Sequence, residues 1–310
     1  MLRLIVIGSA AGGGFPQWNS NDPASKRARG GDPAALPRTQ SSIAVSADDR
    51  QWVLFNASPD LRQQINSTSA LLPRNGKRDS PICSVVLTNG DVDHVAGLLT
   101  LREAHPFSVY ATPRVLSVLQ ANSIFNVLNA EVVKRRPLQL NAATEIKTCG
   151  MKPTGIVVEP FSVPGKVALY LENAAAGANF GTQAEDTVGL KIASSDGASS
   201  FFYIPGCASM TGDLAGRLKD APLVLFDGTL WRDDEMIAAG VGQKTGKRMG
   251  HISISGAEGA LSVFESLSVK RKVFVHMNNT NPVLLADSPE RAAIGKAGWE
   301  AAHDGMEITL

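Results

Sequence analysis

Short apolar runs that end abruptly in polar residues recur along the chain. The clearest runs lie at residues 2–7, 42–46, 52–55, 83–87, 223–226 and 273–275. Runs of four to six apolar residues bounded by turn residues are typical of strands buried in a sheet. The pattern therefore predicts a protein whose core contains several buried strands.

Further strands and helices are predicted between these runs. Short β-rich segments lie near Val109 and at residues 156–158, 167–171, 188–192, 201–204 and 306–310. Helices are predicted at 58–65 with Ser58 as N-cap, after 94, at 113–120, from Ser253 or Ser255 to about 267, and from Pro289. Because strands and helices alternate throughout, the sequence predicts one α/β domain over residues 1–310.

Four segments are predicted to be loops. Gly8 to Gly14 is glycine-rich without a phosphate-loop lysine, so its glycines are expected to let the backbone pass close to a strand or ligand. Residues 17–40 are long and polar, which indicates either a functional or a mobile connection. Residues 174–178 are expected to be exposed, and residues 240–250 form a Gly- and Lys-rich loop before His251.

Composition excludes several classes of protein. Of the 310 residues, 44% are hydrophobic and 19% charged, which is typical of a globular chain. The net charge of +1 gives no indication of a nucleic-acid-binding protein. Three isolated cysteines indicate neither a disulfide framework nor a cysteine-based zinc site. No apolar run is long enough to span a bilayer, and the N-terminal run fits a core strand better than a signal peptide. We therefore expect a cytoplasmic location.

The segment from Thr88 to Leu99 is the first candidate for chemistry. A buried strand ends there, Asp91, Asp93 and His94 follow, and apolar residues then recur at helical spacing. Side chains between a strand and a helix are held firmly on both sides, as a metal site requires. The alternative interpretation is a solvated acidic turn that caps the helix.

Two more strands end in side chains that can bind a metal. Asp227 follows the run at 223–226, and His276 follows the run at 273–275. If these strands and the one before His94 lie side by side in one sheet, their ends converge. Imidazole with carboxylate suits zinc, iron or manganese, and two histidines plus one carboxylate is the ligand set of non-haem iron(II) oxygenases. His105 and His303 lie among polar residues and are expected at the surface, whereas His251 alone would be a structural hydrogen-bonding residue.

These motifs resemble the metallo-β-lactamase superfamily. Thr88-Asn89-Gly90-Asp91-Val92-Asp93-His94 is similar to its THxHxDH signature, and similar motifs occur at residues 225–229, 250–253 and 275–276. More specifically, the segments at 8–19, 38–44, 56–60, 227–231 and 276–282 resemble the coenzyme PQQ (pyrroloquinoline quinone) synthesis B family. The resemblance implies a four-layered αββα sandwich in the α/β class and a role in PQQ biosynthesis.

The chain departs from the superfamily pattern at two places. Asn89 and Asp91 replace the first two histidines of the signature, and no histidine lies between His105 and His251 to serve as the third ligand. We therefore expect one divalent metal rather than two. Ser20, Asp22 and Ser25 lie where family members often carry cysteines, so we expect no structural zinc there.

The resemblance implies an iron- and O₂-dependent hydroxylase acting on the tyrosine ring of a cross-linked Glu–Tyr precursor. Asp93, His94 and His276 would bind Fe(II), with Zn²⁺ possible as purified, and Asp227 would be a fourth ligand or a base. Asp91 would bind the metal or orient the phenol, and His251 would transfer protons. The candidates for binding substrate carboxylates are Arg38, Arg248 and Asn279.

Two other functions stay open at this point. One is a soluble carrier that moves PQQ or its precursor towards the periplasm, and the other is a residual hydrolase with zinc at the single site. Contact with other proteins of the PQQ pathway is possible in either case.

Overall fold

Two seven-stranded sheets contain the apolar runs of the sequence. The structure, a computed structural model of the chain, describes residues 1–177 and 179–310. The first sheet has the order β14-β1-β2-β3-β4-β5-β6 and the second the order β13-β12-β11-β10-β9-β8-β7. Their strands are β1 (Arg3–Gly8), β2 (Ser42–Ser46), β3 (Trp52–Phe55), β4 (Ile82–Val86), β5 (Phe107–Ala111), β6 (Val133–Pro137), β7 (Thr144–Lys147), β8 (Pro153–Ser162), β9 (Val188–Ser194), β10 (Ser200–Ile204), β11 (Val224–Asp227), β12 (Lys272–Val275), β13 (Trp299–Ala301) and β14 (Met306–Thr309).

The α-helices are short and connect or cover the strands. They are α1 (Pro23–Arg29), α2 (Leu61–Ser67), α3 (Val92–Val95), α4 (Pro113–Ala121), α5 (Gly212–Leu218), α6 (Glu235–Ala238), α7 (Gly246–Met249), α8 (Ala260–Val263) and α9 (Pro289–Lys296). Among the described residues, no helix has the length and apolarity needed to cross a bilayer.

The central strands of each sheet are buried on both faces, which explains their apolar sequences. Val6, Phe55 and Val86 of the first sheet pack against Tyr203 and Leu225 of the second in the central layer. The opposite faces pack under helices and loops in two outer clusters, one on each sheet. The predicted αββα sandwich of the α/β class is therefore confirmed.

Several local predictions were wrong. Helix α2 begins after Asp60, so Ser58 is not its N-cap, and α8 begins after Gly259 rather than at Ser253 or Ser255. The predicted strand at 167–171 is partly a 3₁₀ turn, Leu169–Leu171. The sequence pattern also missed the half-buried strands β6 and β7, whose exposed sides carry polar residues.

The long connections contain more structure than the sequence indicated. Helix α1 lies within residues 17–40, and its N-cap Asp22 accepts a hydrogen bond from the backbone N–H of Ser25. Helix α7 lies within the loop 240–250. In the predicted loop at 174–178, residues Ala174–Ala176 form an exposed 3₁₀ turn, and residue 178 lies outside the described residues.

The strands that precede the candidate site residues do not all lie in one sheet. Strand β4 lies between β3 and β5 in the first sheet, and β11 pairs in parallel with β12 in the second. The expectation that the three strands lie side by side was therefore wrong. The site lies where the strand ends of one sheet meet those of the other, because the two sheets pack face to face.

Candidate metal centre

The segment after β4 is held against the loop that follows β3. The backbone N–H of Thr88 donates to Asn56 Oδ1 at 2.9 Å, and the backbone N–H of Ala57 donates to the His94 carbonyl at 2.7 Å. A Cβ on Gly97 would lie 2.1 Å from the carbonyl oxygen of Ser58, so only glycine allows the chain to approach this closely. These contacts fix the backbone that carries Asp93 and His94.

The ends of β11 and β12 supply the other side chains. Asp227 is the last residue of β11 and is fully buried. His276 follows β12 with a φ of +59°, in the left-handed region that non-glycine residues rarely occupy. Such backbone strain is concentrated at functional sites, where surrounding contacts hold it in place.

Asp93, His94 and His276 come together as three potential metal ligands. Each offers one ligand atom, and the three atoms lie within 4.8 Å of one another. The His94 and His276 rings are 5.2 Å apart, and His276 Nε2 lies 3.1 Å from Asp93 Oδ2. His94 Nε2 is buried and has no hydrogen-bond partner among the described residues. A buried imidazole nitrogen without a partner next to a carboxylate and a second imidazole fits a metal-binding site.

Asn89 fixes the tautomer of His94. Its Oδ1 accepts a hydrogen bond from the backbone N–H of Asp91 at 3.0 Å, which identifies that atom as the oxygen of the amide. The same oxygen lies 2.7 Å from His94 Nδ1, so Nδ1 must carry the proton and donate it. His94 Nε2 is therefore left with a lone pair, as a metal ligand requires.

Thr229 has the equivalent role for His276. Its hydroxyl donates to Asp227 Oδ1 at 2.6 Å and accepts from His276 Nδ1 at 2.9 Å. His276 Nε2 then presents its lone pair to Asp93 Oδ2, and two lone pairs at 3.1 Å repel unless a cation lies with them. Either a proton or a metal ion satisfies this contact, so the residues fit a divalent metal.

The pKa values of the two histidines differ because their surroundings differ. Burial lowers the pKa of His94 to about 4, which keeps its imidazole neutral at pH 7. Burial also lowers the pKa of His276, but its hydrogen bond with Asp93 and the charge of that carboxylate outweigh this effect, so its pKa is raised above the usual value. Of these two histidines, His276 is therefore the one whose imidazole keeps a proton to the higher pH when no metal is bound.

Asp227 is surrounded by hydrogen-bond donors. Its Oδ1 accepts from the backbone N–H and the hydroxyl of Thr229, and its Oδ2 accepts from the backbone N–H of Cys207 at 2.9 Å. His251 Nδ1 lies 2.8 Å from the same Oδ2. Asp227, His251 and His276 also form a group whose ligand atoms lie within 4.8 Å. However, Asp227 would have to give up an existing hydrogen bond to bind a metal.

A cavity of about 620 Å³ opens onto these residues. The cavity is lined by Asp93, His94, His251 and His276, together with Gly12. A Cβ added at Gly12 would lie 3.3 Å from Asp93 Oδ2. The glycine-rich loop therefore passes close to the site, as the sequence suggested. The lining also includes Leu169, Tyr170, Met236, Met249, Lys166 and Lys244.

Two of the remaining predicted site residues form ion pairs within the chain. Asp91 also lines the cavity, and its Oδ1 lies 3.2 Å from Lys166 Nζ. Arg248 makes a two-point contact with Glu172, at 3.1 and 2.7 Å, and lines a neighbouring cleft.

The structure does not bring Arg38 and Asn279 into the lining of the cavity. The Arg38 guanidinium is buried and donates to the carbonyl of Ala302. Asn279 holds the segment before α1, because its Oδ1 accepts from the backbone N–H of Gln17 at 2.9 Å and its Nδ2 donates to Asp22 Oδ2 at 3.2 Å. Both therefore make contacts that hold the fold together.

Sequence reasoning missed Thr229 and the two cavity lysines. A hydroxyl two residues after the strand-end Asp227 is a local signal that could have indicated a side-chain turn. Lys244 lies in the Gly- and Lys-rich loop at 240–250, but nothing in that composition indicated a site, and Lys166 lies in a loop with no recognisable motif.

Comparisons with known proteins agree with the resemblance found in the sequence motifs. A family model described as a β-lactamase superfamily domain matches residues 51–277. Coenzyme PQQ synthesis protein B of Gluconacetobacter diazotrophicus is 56% identical over 309 residues, which cover 100% of both chains. The crystal structure of Zn²⁺-bound PqqB from Methylobacterium extorquens matches with 51% identity and a TM-score of 0.93, over 99% of this chain and 100% of the other. A diphosphatase of the PhnP family, 19% identical with a TM-score of 0.68 over 100% of this chain and 98% of its own, shares the fold.

Proposed function

Because the chain belongs to the coenzyme PQQ synthesis protein B family of the β-lactamase superfamily, we propose that it is a metal-dependent enzyme of PQQ biosynthesis. The proposed reaction is hydroxylation of the tyrosine ring of a cross-linked Glu–Tyr precursor, with one ferrous ion and O₂. The cytoplasmic location stays a prediction from the sequence.

The observation that carries this proposal is the composition of the metal-ligand group. Asp93, His94 and His276 are one carboxylate and two imidazoles, and His94 Nε2 is buried without a partner among the described residues. Two histidines and one carboxylate leave metal positions open, which is the ligand set of non-haem iron(II) oxygenases. When bound there, ferrous iron would supply the activation of O₂.

The side chains at the first two signature positions support one metal rather than two. Asn89 Oδ1 accepts a hydrogen bond from His94 Nδ1, and Asp91 forms an ion pair with Lys166. Asn89 offers no imidazole lone pair, and the carboxylate of Asp91 is already engaged by an ammonium group, so neither replaces a histidine of the signature as a free ligand for a second metal. A hydrolytic centre of two metals is therefore disfavoured.

The proposed hydroxylation consumes one molecule of O₂, two electrons and two protons. A ring C–H bond is replaced by C–OH, and one oxygen atom of O₂ enters the product. The other oxygen leaves as water, which takes up two electrons and two protons. An external two-electron reductant must supply these electrons.

His251 and Asp227 are the proposed proton-transfer pair. The carboxylate of Asp227 accepts from His251 Nδ1 at 2.8 Å, which fixes the ring and leaves Nε2 for exchange with a phenol in the cavity. Stacking on His276, with ring centres 5.1 Å apart, also holds the His251 ring in place. Asp91, on the cavity wall, is proposed to orient the phenol.

The identity of the metal is part of the proposal. The Zn²⁺-bound relative from M. extorquens supports a divalent metal in this family. Because affinity for such a site generally rises from Fe²⁺ to Zn²⁺, we expect zinc to occupy it after purification in air and iron to be the active metal.

The test is to replace His94 or His276 by Ala and to measure iron content together with O₂-dependent ring hydroxylation. We expect both variants to lose iron and activity, whereas His303→Ala, at an exposed histidine, keeps both. Undiminished hydroxylation without bound iron would refute the proposal. Binding of the precursor without any turnover in air, with iron and reductant present, would indicate the carrier instead.

A further inference from the structure

We propose that Lys166 and Lys244 form a carboxylate-binding subsite in the cavity, which selects an aromatic ligand with at least two carboxylates. Both lysines line the cavity that contains Asp93, His94 and His276. Lys166 lies in the segment between β8 and β9, and Lys244 lies just before α7. The inference rests on the proposed function, because it concerns how the substrate of that reaction is held.

Lys166 already binds a carboxylate of the chain. Its Nζ lies 3.2 and 3.4 Å from the two oxygens of Asp91, and the lysine side chain is 20% exposed. Its only other acceptor among the described residues is the carbonyl of Val167, at 3.5 Å. Since an ammonium group has three donors, Lys166 can contact a ligand carboxylate beside Asp91 or in its place.

Lys244 has no close hydrogen-bond partner among the described residues. Its Nζ lies 3.6 Å from Glu172 Oε2, and its side chain is 40% exposed. The Glu172 carboxylate is already held by the guanidinium of Arg248 at 3.1 and 2.7 Å. The positive charge of Lys244, a residue that lines the cavity, is therefore only partly balanced inside the chain.

The charges around the cavity favour an anionic ligand. The lining carries the carboxylates of Asp91 and Asp93 and includes Lys166 and Lys244, and the Asp227 carboxylate lies 2.8 Å from the ring of His251. With neutral histidines, a divalent metal at the centre therefore leaves an excess of one positive charge. The two lysines can each contact one carboxylate of a ligand, and such charge complementarity contributes to specificity.

The apolar part of the lining suits a flat ring. Leu169, Tyr170, Met236 and Met249 contribute aliphatic, aromatic and thioether surface. Thioethers and aromatic rings pack favourably against an aromatic body. An aromatic polycarboxylate, such as PQQ or its ring-containing precursor, combines both properties.

The experiment measures binding of PQQ to the zinc-loaded protein by titration, without O₂ or reductant, so that no turnover is involved. The variants are Lys166→Gln, Lys244→Gln and their double variant, with Lys270→Gln as the matched control at an exposed lysine outside the cavity. The trimethyl ester of PQQ serves as the second probe, because it keeps the ring and loses the three carboxylate charges.

We expect each single variant to raise the Kd for PQQ about tenfold and the double variant about a hundredfold, since a hydrogen bond to a charged group is lost each time. Lys270→Gln should not change the Kd, and the triester should bind all variants alike. Lys166→Arg separates the role of the charge from a structural role of the lysine: it keeps the positive charge and should raise the Kd by no more than a few-fold. An equal loss of binding in Lys166→Arg and Lys166→Gln would overturn the proposal.

The proposal also fails if PQQ binds the lysine variants as tightly as the parent, or if PQQ does not bind the folded parent at all. Absence of ring hydroxylation by the iron-loaded parent protein, with lysine-dependent PQQ binding retained, would refute the proposed reaction and leave this subsite intact.

Discussion

Replacing Asn89 by Leu tests whether this side chain prepares His94 for the metal. Asn89 Oδ1 is the acceptor for His94 Nδ1 at 2.7 Å, and His94 is 2% exposed. Leu has a similar size but no acceptor, so a buried imidazole N–H loses its partner. An unsatisfied buried donor costs about 1–3 kcal/mol of unfolding free energy. The ring can then also adopt the tautomer in which Nε2 carries the proton and cannot bind a metal.

The expected loss of metal affinity follows from the same contact. Removing a hydrogen bond to a metal-binding histidine typically lowers the affinity by about 10- to 100-fold. This corresponds to about 1.4–2.8 kcal/mol, which matches the cost of the unsatisfied donor. Asn89→Asp keeps an acceptor at this position, so its affinity should stay within a few-fold of the parent.

The assay is competition for Zn²⁺ with a chromophoric chelator, combined with nitrogen NMR of the histidine tautomers. Asn278→Leu is the control, since Asn278 lines the same cavity but donates to Thr280 Oγ1 rather than to a metal-ligand candidate. If Asn89→Leu binds zinc as tightly as the parent and His94 keeps its proton on Nδ1, the reasoning about this tautomer is refuted.

Two further predictions concern pH and the backbone. The pKa of His276 is raised above 6.5, so a proton competes with the metal below that pKa, and affinity should fall about tenfold per pH unit as the pH decreases through this range. Metal titrations between pH 5.5 and 8 measure this, and a constant affinity would contradict the arrangement of Asp93 and His276. Gly97→Ala places a Cβ 2.1 Å from the Ser58 carbonyl and should cost about 1–3 kcal/mol of unfolding free energy together with some metal affinity. Gly216→Ala in α5, where a Cβ meets nothing within 4 Å, should instead stabilise by about 0.5–1 kcal/mol in denaturant unfolding, so equal effects of the two substitutions would contradict this account.

The sequence alone determined the strands of the core and the residues at their ends. Strands buried on both faces must be apolar throughout, so β1, β4, β11 and β12 were visible as short runs bounded by polar residues. Half-buried strands such as β6 and β7 carry weaker patterns and were missed. The candidate ligands Asp93, His94 and His276 could be named for the same reason, since each lies in the polar segment that comes after such a strand.

Only the tertiary structure decided which of these residues act together. The sheet in which β4 lies depends on its long-range pairing with β3 and β5, which no local pattern encodes. The tautomer of His94 depends on a contact with Asn89 across a turn, and that of His276 on the hydroxyl of Thr229 from another strand end.

For polar and charged side chains outside the strands, too, the tertiary structure decided which of them reach the cavity. Arg38 and Asn279 looked like substrate-binding residues because of their chemistry, but packing directs them to Ala302 and to the segment before α1. Neither Lys166 nor Lys244 was predicted as a site residue, yet folding brings both to the cavity wall. A charge in a loop contributes to a site only where the rest of the fold places it, whereas a buried strand must be apolar wherever it lies. The sequence therefore determined the scaffold and the metal-ligand types, and the packing of the two sheets determined the cavity around them.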